Sequence, residues 1–332
     1  MRPELFIGID ISKVTLDISV VNSNGDQLAA YKIANTETSI TDILEVITSN
    51  HKVTRDNSCF CAEDMGLFAS FLSKMLAARK YKICFESSLR IKKSIGIQRG
   101  KNDAIDALRI ARYACNNFNS LHFRTIPRQC IADLKGLTAV RKRLLKTRKL
   151  LSQSKKMEDY YLHEESDLIC TKLYANTLTA IKEDLTTVER KILKVIEADE
   201  QLARMIRIIT SVPRIGKVTA VQIVIATNEF QWIACPKKFA SYCGVAPFQL
   251  KSGTSLNSRA KVSGLANREL KSLIHMAAIG YAKKSRTDFL AKYYRRKIEE
   301  GKRPMSVLNA VRNKLIHRIF SCIKTGTTFV DI

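Results

Sequence analysis

The sequence predicts an α/β domain followed by two mainly helical regions. Three observations carry this. Strand-like and helix-like segments alternate over residues 1–120. A seam of apolar residues at alternating three- and four-residue spacing follows. Thereafter the pattern is helix, turn and helix. The expected regions are 1–125, 126–203 and 204–332.

The α/β part opens with "LFIGIDISKVTLDISVVNSNGDQLAAYKIAN", read as three strands, with Asn24-Gly25 as a tight hairpin turn. "ETSITDILEVITS" reads as a helix, "SCFCAED" as a short strand, "GLFASFLSKMLAARK" as a helix and "YKICFES" as another strand. "NDAIDALRIARYACNN" closes the region as a helix, with Asn102 or Asp103 at its N-cap. A meander followed by strands alternating with helices implies a mixed sheet.

The middle region carries Leu178, Ile181, Leu185, Val188, Ile192 and Val195, the spacing of a coiled-coil seam. An earlier arm places Leu137, Val140, Leu144 and Leu151 at compatible positions. Its outer face has nine Lys or Arg between Leu134 and Met157 and no acid, which favours a polyanion over a merely solvated face. An antiparallel helical hairpin or an oligomerisation arm is expected.

In the last region, "IITSVPRIGKVTAVQIVIAT" reads as helix, turn, helix, and "CPKKFASYCGVAP" as a short helix closed by Gly244. "FQLKSGTSLNSRAKVSG" reads as a polar, basic loop. "ANRELKSLIHMAAIGYAKK" and "PMSVLNAVRNKLIHRIFSCIK" are amphipathic helices, the second with Pro304 at its first position.

Composition narrows the partners. The 332 residues are 45% hydrophobic and 26% charged, the balance of a folded chain, and 56 Lys and Arg against 31 Asp and Glu leave a formal charge of +25. Such an excess points to DNA, RNA or an anionic membrane. No apolar run is long enough to span a bilayer, and the N-terminus lacks a signal-peptide pattern. A cytoplasmic nucleic-acid protein is therefore expected. The nine cysteines include no Cys-x-x-Cys pair and no histidine cluster, so reduced, mostly buried thiols are expected and no zinc site.

Asp10 lies inside an apolar strand whose alternation puts Ile7, Ile9 and Ile11 on one face and Phe6, Gly8 and Asp10 on the other. A carboxylate there is costly unless paired or metal-bound. Glu63 ends "CFCAE", and Asp103 and Asp106 share one helix face. Two carboxylates about 4 Å apart repel by roughly 4 kcal/mol at an effective dielectric near 20. A convergence of four would need a cation, and all-oxygen ligands suit Mg²⁺ or Mn²⁺, which serve phosphodiester chemistry. Spacing leaves other readings open: Asp103 as a cap, Asp106 paired with Arg109 or Arg112, and Asp17, Asp64 or Glu86 as rival acids.

"KSGTSLNSRAK" sets Ser252, Ser255 and Ser258 among Lys251, Arg259 and Lys261, where a hydroxyl beside cations could attack a phosphodiester, although a solvated turn is the commoner meaning. "SVPRIGKVTA" offers free N–H groups at a helix start beside Arg214 and Lys217, as in a helix-hairpin-helix, or forms a plain helical hairpin. Lys101 and Arg109 near the acids, and Arg141, Arg143 and Arg148 on the basic arm, complete the candidate nucleic-acid contacts.

"FIGIDISKVTLD", "CAEDMG" and "GKNDAIDALRIAR" resemble the three acidic blocks of the DEDD transposases, RuvC-like recombinases of bacterial insertion sequences related to pilin-gene invertases. "SVPRIGKVTAVQIVIAT", "KKFASYCGVAPFQLKSGTS" and "VSGLANRELKSLIHMAA" resemble that family's C-terminal transposase domain, so the likeness covers nearly the whole chain in order. The resemblance implies an RNase H-like (RuvC-like) catalytic domain binding Mg²⁺ through Asp10, Glu63, Asp103 and Asp106. It also implies a helical coiled-coil middle and a mainly α C-terminal domain with Ser252 as nucleophile. It further implies a composite active site in a homo-oligomer, a dimer or tetramer. Donor and target would be double-stranded DNA, paired to a bridge RNA from the element's non-coding end, and the setting the bacterial nucleoid. Three departures stand out. Glu63 is followed by Asp64-Met65-Gly66-Leu67-Phe68 where the family has Ala-Thr-Gly-x-Tyr. Glu86-Ser87-Ser88 replaces an Asn-Pro, and Arg214 replaces a glycine of a Pro-Gly-Ile-Gly turn.

The expected activity is Mg²⁺-dependent strand cleavage and exchange by an insertion-sequence transposase. Three other readings stand beside it: a site-specific invertase, a metal-only RuvC-type junction nuclease, and a nucleic-acid-binding protein with a decayed site.

Overall fold

A computed structural model describes residues 2–330 apart from 65, 97–102, 124, 162–167, 250, 253–255, 259 and 283–287; the side chains of 67, 95, 153–173 and 251–256 also lie outside the described set. The chain divides into two compact units, Met1–Ile126 and Pro127–Ile332.

The first unit is a five-stranded mixed sheet with helices on both faces. Its strands are β1 (Leu5–Ile11), β2 (Thr15–Asn22), β3 (Gln27–Ala34), β4 (Ser58–Glu63) and β5 (Ile83–Glu86). The order is β3-β2-β1-β4-β5. The β1–β2 and β2–β3 pairs are antiparallel, whereas β1–β4 and β4–β5 are parallel. Helices α1 (Glu37–His51) and α2 (Ser70–Ala78) supply the crossovers, a 3-10 turn at Gly66–Ala69 preceding α2. The expected alternation is borne out. Ile7, Ile9 and Ile11 pack with Ile40, Ile43 and Ile47 of α1 and Leu72 and Leu76 of α2. Phe6, Cys59, Cys61 and Cys84 face the other way, onto Ile110, Ala111 and Ala114 of α4 (Asp103–Asn116). Between β5 and α4 lies α3 (Ser88–Ile95), which the sequence reading did not separate; at eight residues, three of them basic, it has too few apolar positions to show a period.

The second unit is mostly helical. Long helices α5 (Gln129–Tyr161) and α6 (Leu168–Glu197) pack along each other. On α6, Ile181, Leu185, Val188 and Ile192 of the expected seam are buried, while its ends, Leu178 and Val195, are half-buried and Ile196 is buried instead of Val195. On α5, Ile131 and Leu134 are buried and Leu137 and Leu144 partly so, while Val140 stays exposed. Helices α7 (Glu200–Ser211), α9 (Pro236–Tyr242), α10 (Arg268–Ile279) and α11 (Phe289–Glu299) pack on α12 (Pro304–Thr325), while α8 (Lys217–Thr227) packs on α5, α7 and α10. Val311, Leu315, Ile316 and Ile319 of α12 are fully buried. The segment expected as a loop forms two short antiparallel ladders instead, β6 (Pro247–Phe248) with β9 (Lys261–Val262) and β7 (Lys251–Ser252) with β8 (Leu256–Asn257). Strands of two residues are too short to show alternation.

The described cysteines are all free thiols, and six of the eight are buried. No described helix is long and apolar enough to cross a membrane.

Candidate active site

The site begins with a contact between two backbones. Gly8 of β1 lies against α4 so closely that a Cβ there would stand 2.2 Å from the Ala111 nitrogen and 2.3 Å from the Ala107 carbonyl oxygen. Small residues on the facing side of α4, Ala107, Ala111 and Ala114, permit this approach and are all buried. Asp10, two residues after Gly8, is on the same face of the sheet, and Asp103 and Asp106 occupy the first turn of α4. The parallel register that pairs Ile9 with Ala62 carries Asp10 next to Glu63.

Neighbouring strands extend this row of acids. Asp10 is the register partner of Asp17, and Glu63 that of Glu86. The two outer acids, rivals on spacing alone, are engaged by the fold. Asp17 is buried and meets Lys32 at 3.6 Å. Glu86, also buried, accepts from Arg90 at 2.9 Å, the Tyr113 hydroxyl at 3.1 Å and the Ser87 amide at 3.2 Å. Burial, then the Glu86 charge and hydrogen bond, pushes the Tyr113 phenol up to about 12.

The inner acids are less buried, though two of them also have partners. Burial raises the Asp10 carboxyl to about 6, helped by the negative charges of Glu63, Asp103, Asp106 and Asp17 in that order. Asp103 is exposed. Ser88 donates its hydroxyl to Glu63 Oε2 at 2.5 Å, and Arg109 donates to Asp106 Oδ1 at 2.7 Å. The second of these is the pairing that spacing had left open. The first could not be anticipated, because 25 residues separate Ser88 from Glu63. Among the described residues no three His, Cys, Asp or Glu side chains are gathered tightly enough to hold a metal ion as they stand. The donor set nonetheless fits a hard divalent cation. It is all oxygen, it shares one face, and its own repulsion is visible at Asp10.

The other expected site residues fall in the second unit, except Lys101, which lies outside the described residues together with Arg259 and Ser255. The backbone of Ser252 pairs with Leu256, and that of Lys251 with Asn257. Their side chains lie outside the described set. Lys261 is exposed on β9, and Arg143 and Arg148 are exposed on α5. Arg141 is only partly exposed and pairs with Glu189 of α6 at 2.8 Å.

The Pro213–Gly216 turn leads into α8, whose N-cap, Gly216, provides no side-chain acceptor for the first amides. Arg214 takes a left-handed φ of 71°, the backbone conformation that favours glycine. The Tyr281 hydroxyl pins the turn by donating to the Pro213 carbonyl at 2.7 Å. Arg214→Gly is expected to keep stability within about 1 kcal/mol of the parent, since relief of left-handed strain and greater chain entropy nearly cancel. Removing the cation should weaken duplex binding. Melting curves with and without duplex DNA check both.

Residues 7–157 match a family model described as transposase, of the DEDD type of IS110. Residues 206–295 match the model of the transposase IS116/IS110/IS902 family. Over 327 residues, 98% of this chain and 97% of the relative, the sequence is 23% identical to the pilin gene-inverting protein of Moraxella bovis. It is 22% identical over the same length to that of Moraxella lacunata. A stretch of 163 residues, 49% of this chain and 38% of the relative, is 27% identical to an uncharacterized 43.6 kDa protein of insertion element IS110 from Streptomyces coelicolor.

Proposed function

The chain belongs to the IS116/IS110/IS902 family of transposases, enzymes that cut and rejoin DNA strands, and from that premise we propose how its own residues do so. Asp10, Glu63, Asp103 and Asp106 hold Mg²⁺ in an RNase H-like domain of about residues 1–125. The observation that carries this reading is the seating of α4 on Gly8, which puts the first turn of α4 on the sheet face that bears Asp10 and Glu63. The strand order, with a three-strand meander and two parallel additions, supports it. A divalent ion held there supplies positive charge to the scissile phosphate. To admit it, Glu63 and Asp106 either release Ser88 and Arg109 or use their other carboxylate oxygens.

Ser252 is the nucleophile, carried by the domain of residues 204–332. Its Oγ–P bond forms as one P–O bond of the strand breaks, the serine proton passing to solvent and the leaving oxygen taking one up. The reverse step joins the strand to a new end, so phosphodiester energy is conserved. The basic helices of residues 126–203 act as a coiled-coil arm for a dimer or tetramer. A bridge RNA pairs with donor and target DNA in the cytoplasm at the nucleoid. A net charge of +25 supports a nucleic-acid load of that size.

The test uses plasmids carrying the element's ends, purified protein with its co-purifying RNA, and Mg²⁺. The parent should yield a covalent protein–DNA species and exchanged strands. Asp10→Asn and Ser252→Ala should each lower exchange at least about a thousandfold while still binding DNA. Parental exchange by Ser252→Ala would refute the nucleophile assignment, and cleavage without an adduct would favour a metal-only nuclease.

Inversion at fixed sites is the second reading, favoured by the end-to-end similarity to the pilin gene-inverting proteins. Flanking DNA separates the two: inverted sites beside a switchable gene mark an invertase, and a structured non-coding end marks a mobile element.

A further inference from the structure

Arg312 is the most anomalous charge in the second unit. It projects from the middle of α12 into the helical core with 6% of its surface exposed. Its buried Nε has no hydrogen-bond partner, and no carboxylate among the described residues pairs with it. Burial pulls its pKa downward, but a guanidinium does not give up its proton, so the charge stays and goes uncompensated. An unpaired buried cation is among the costliest arrangements a fold can carry.

Two more basic groups face the same place. Helices α10 and α12 pack together, and Lys271 and His275 stand one turn apart on α10. Burial lowers the His275 pKa, and the charges of Arg312 and Lys271 lower it further. Its Nδ1 is likewise buried without a partner. Lys271 reaches to Gly244, where its Nζ lies 3.8 Å from the position a Cβ would take. One turn before Arg312, Asn309 donates to the Val245 carbonyl at 2.9 Å. The group therefore borders the Gly244–Ala246 segment, which runs directly into β6 and the ladders that contain Ser252.

We propose that Arg312, with Lys271 and His275, receives a backbone phosphate of the nucleic acid beside the serine-bearing ladders. The proposal rests on the reading that this chain handles nucleic acid. A phosphate supplies the missing negative charge, and its oxygens match the planar fork of donors on a guanidinium. The chain's excess of basic residues makes a polyanion the natural donor of that charge.

The test measures full-length Arg312→Met and Arg312→Lys against the parent, with a mixed-sequence duplex of about 30 base pairs and a structured RNA as separate probes. For Arg312→Met, melting without nucleic acid should be unchanged or raised. Affinity for at least one probe should fall about tenfold at 0.15 M salt, with the log K against log salt slope shallower by about one. Arg312→Lys should regain part of the affinity. Which probe responds tells DNA from RNA. Unchanged affinity and slope for both probes would overturn the proposal. So would a lower melting temperature with unchanged slopes, which marks a structural role. Lost self-association with intact binding would also overturn it, because a carboxylate of a second copy would then be the partner. If the parent bound neither probe, the functional reading itself would fall.

Discussion

Gly8→Ala is expected to destabilise the first unit by about 3 kcal/mol and to lower strand exchange by at least about a hundredfold. The added methyl group would meet the Ala111 nitrogen and the Ala107 carbonyl at little more than 2 Å. Neither is the tip of a flexible side chain, so the helix must lift from the strand, the costly kind of overpacking. Lifting α4 carries Asp103 and Asp106 away from Asp10, and a misplacement of an ångström costs on the order of a hundredfold in rate. Chemical denaturation and plasmid exchange assays check the two effects together. Ala111→Gly should not rescue the variant, because the clash is with helix backbone. A parental melting curve for Gly8→Ala would sink this account of how the acids are brought together.

Arg128→Ala should cost about 3 kcal/mol in the second unit. Arg128 donates to Asp199 at 2.6 and 3.1 Å, and to both oxygens of Glu229. Asp199 also caps α7 through the Leu202 amide at 2.8 Å, and these bonds hold its carboxyl below the usual range. Glu229, whose side chain is 1% exposed, sits in a run of three left-handed residues, Asn228 to Phe230. One guanidinium thus ties the start of α5, the start of α7 and the end of α8. Removing it leaves Glu229 as a buried charge without its ion-pair partner, the situation in which breaking a pair costs most. Arg128→Lys should recover the charge but not the bidentate geometry, and so only part of the loss. Urea titration of the three proteins is the measurement. A midpoint for Arg128→Ala equal to the parent's would refute it.

These two sites show why some of the molecule was legible in its sequence and some was not. Asp10 could be placed on the face opposite Ile7, Ile9 and Ile11 because strand alternation is local. The buried α6 seam followed from spacing in the same way. The hold of Arg128 on Asp199 and Glu229 spans 71 and 101 residues, and no period reports such a contact. Arg312 looked like one more polar residue on an amphipathic helix, since a burial pattern does not say which cation points inward. Asp17 and Glu86 stand level with the inner acids on spacing; only the folded chain shows that these two are buried against Lys32 and Arg90, while Asp10, Glu63 and Asp106 stay partly exposed.

The order of elements also bears on when the acids come together. The β1–β2–β3 meander pairs through short turns and is complete at Ala34, whereas α4 begins only at Asp103. Until α4 docks, Phe6, Cys59, Cys61 and Cys84 lack the cover of Ile110, Ala111 and Ala114 on their side of the sheet, and the acid row lacks its helical half. The step that closes the second core face therefore also completes the acidic cluster. As the chain emerges in N-to-C order, Asp10 and Glu63 are made well before Asp103 and Asp106, and the full set of acids can come together only once the chain through α4 is present.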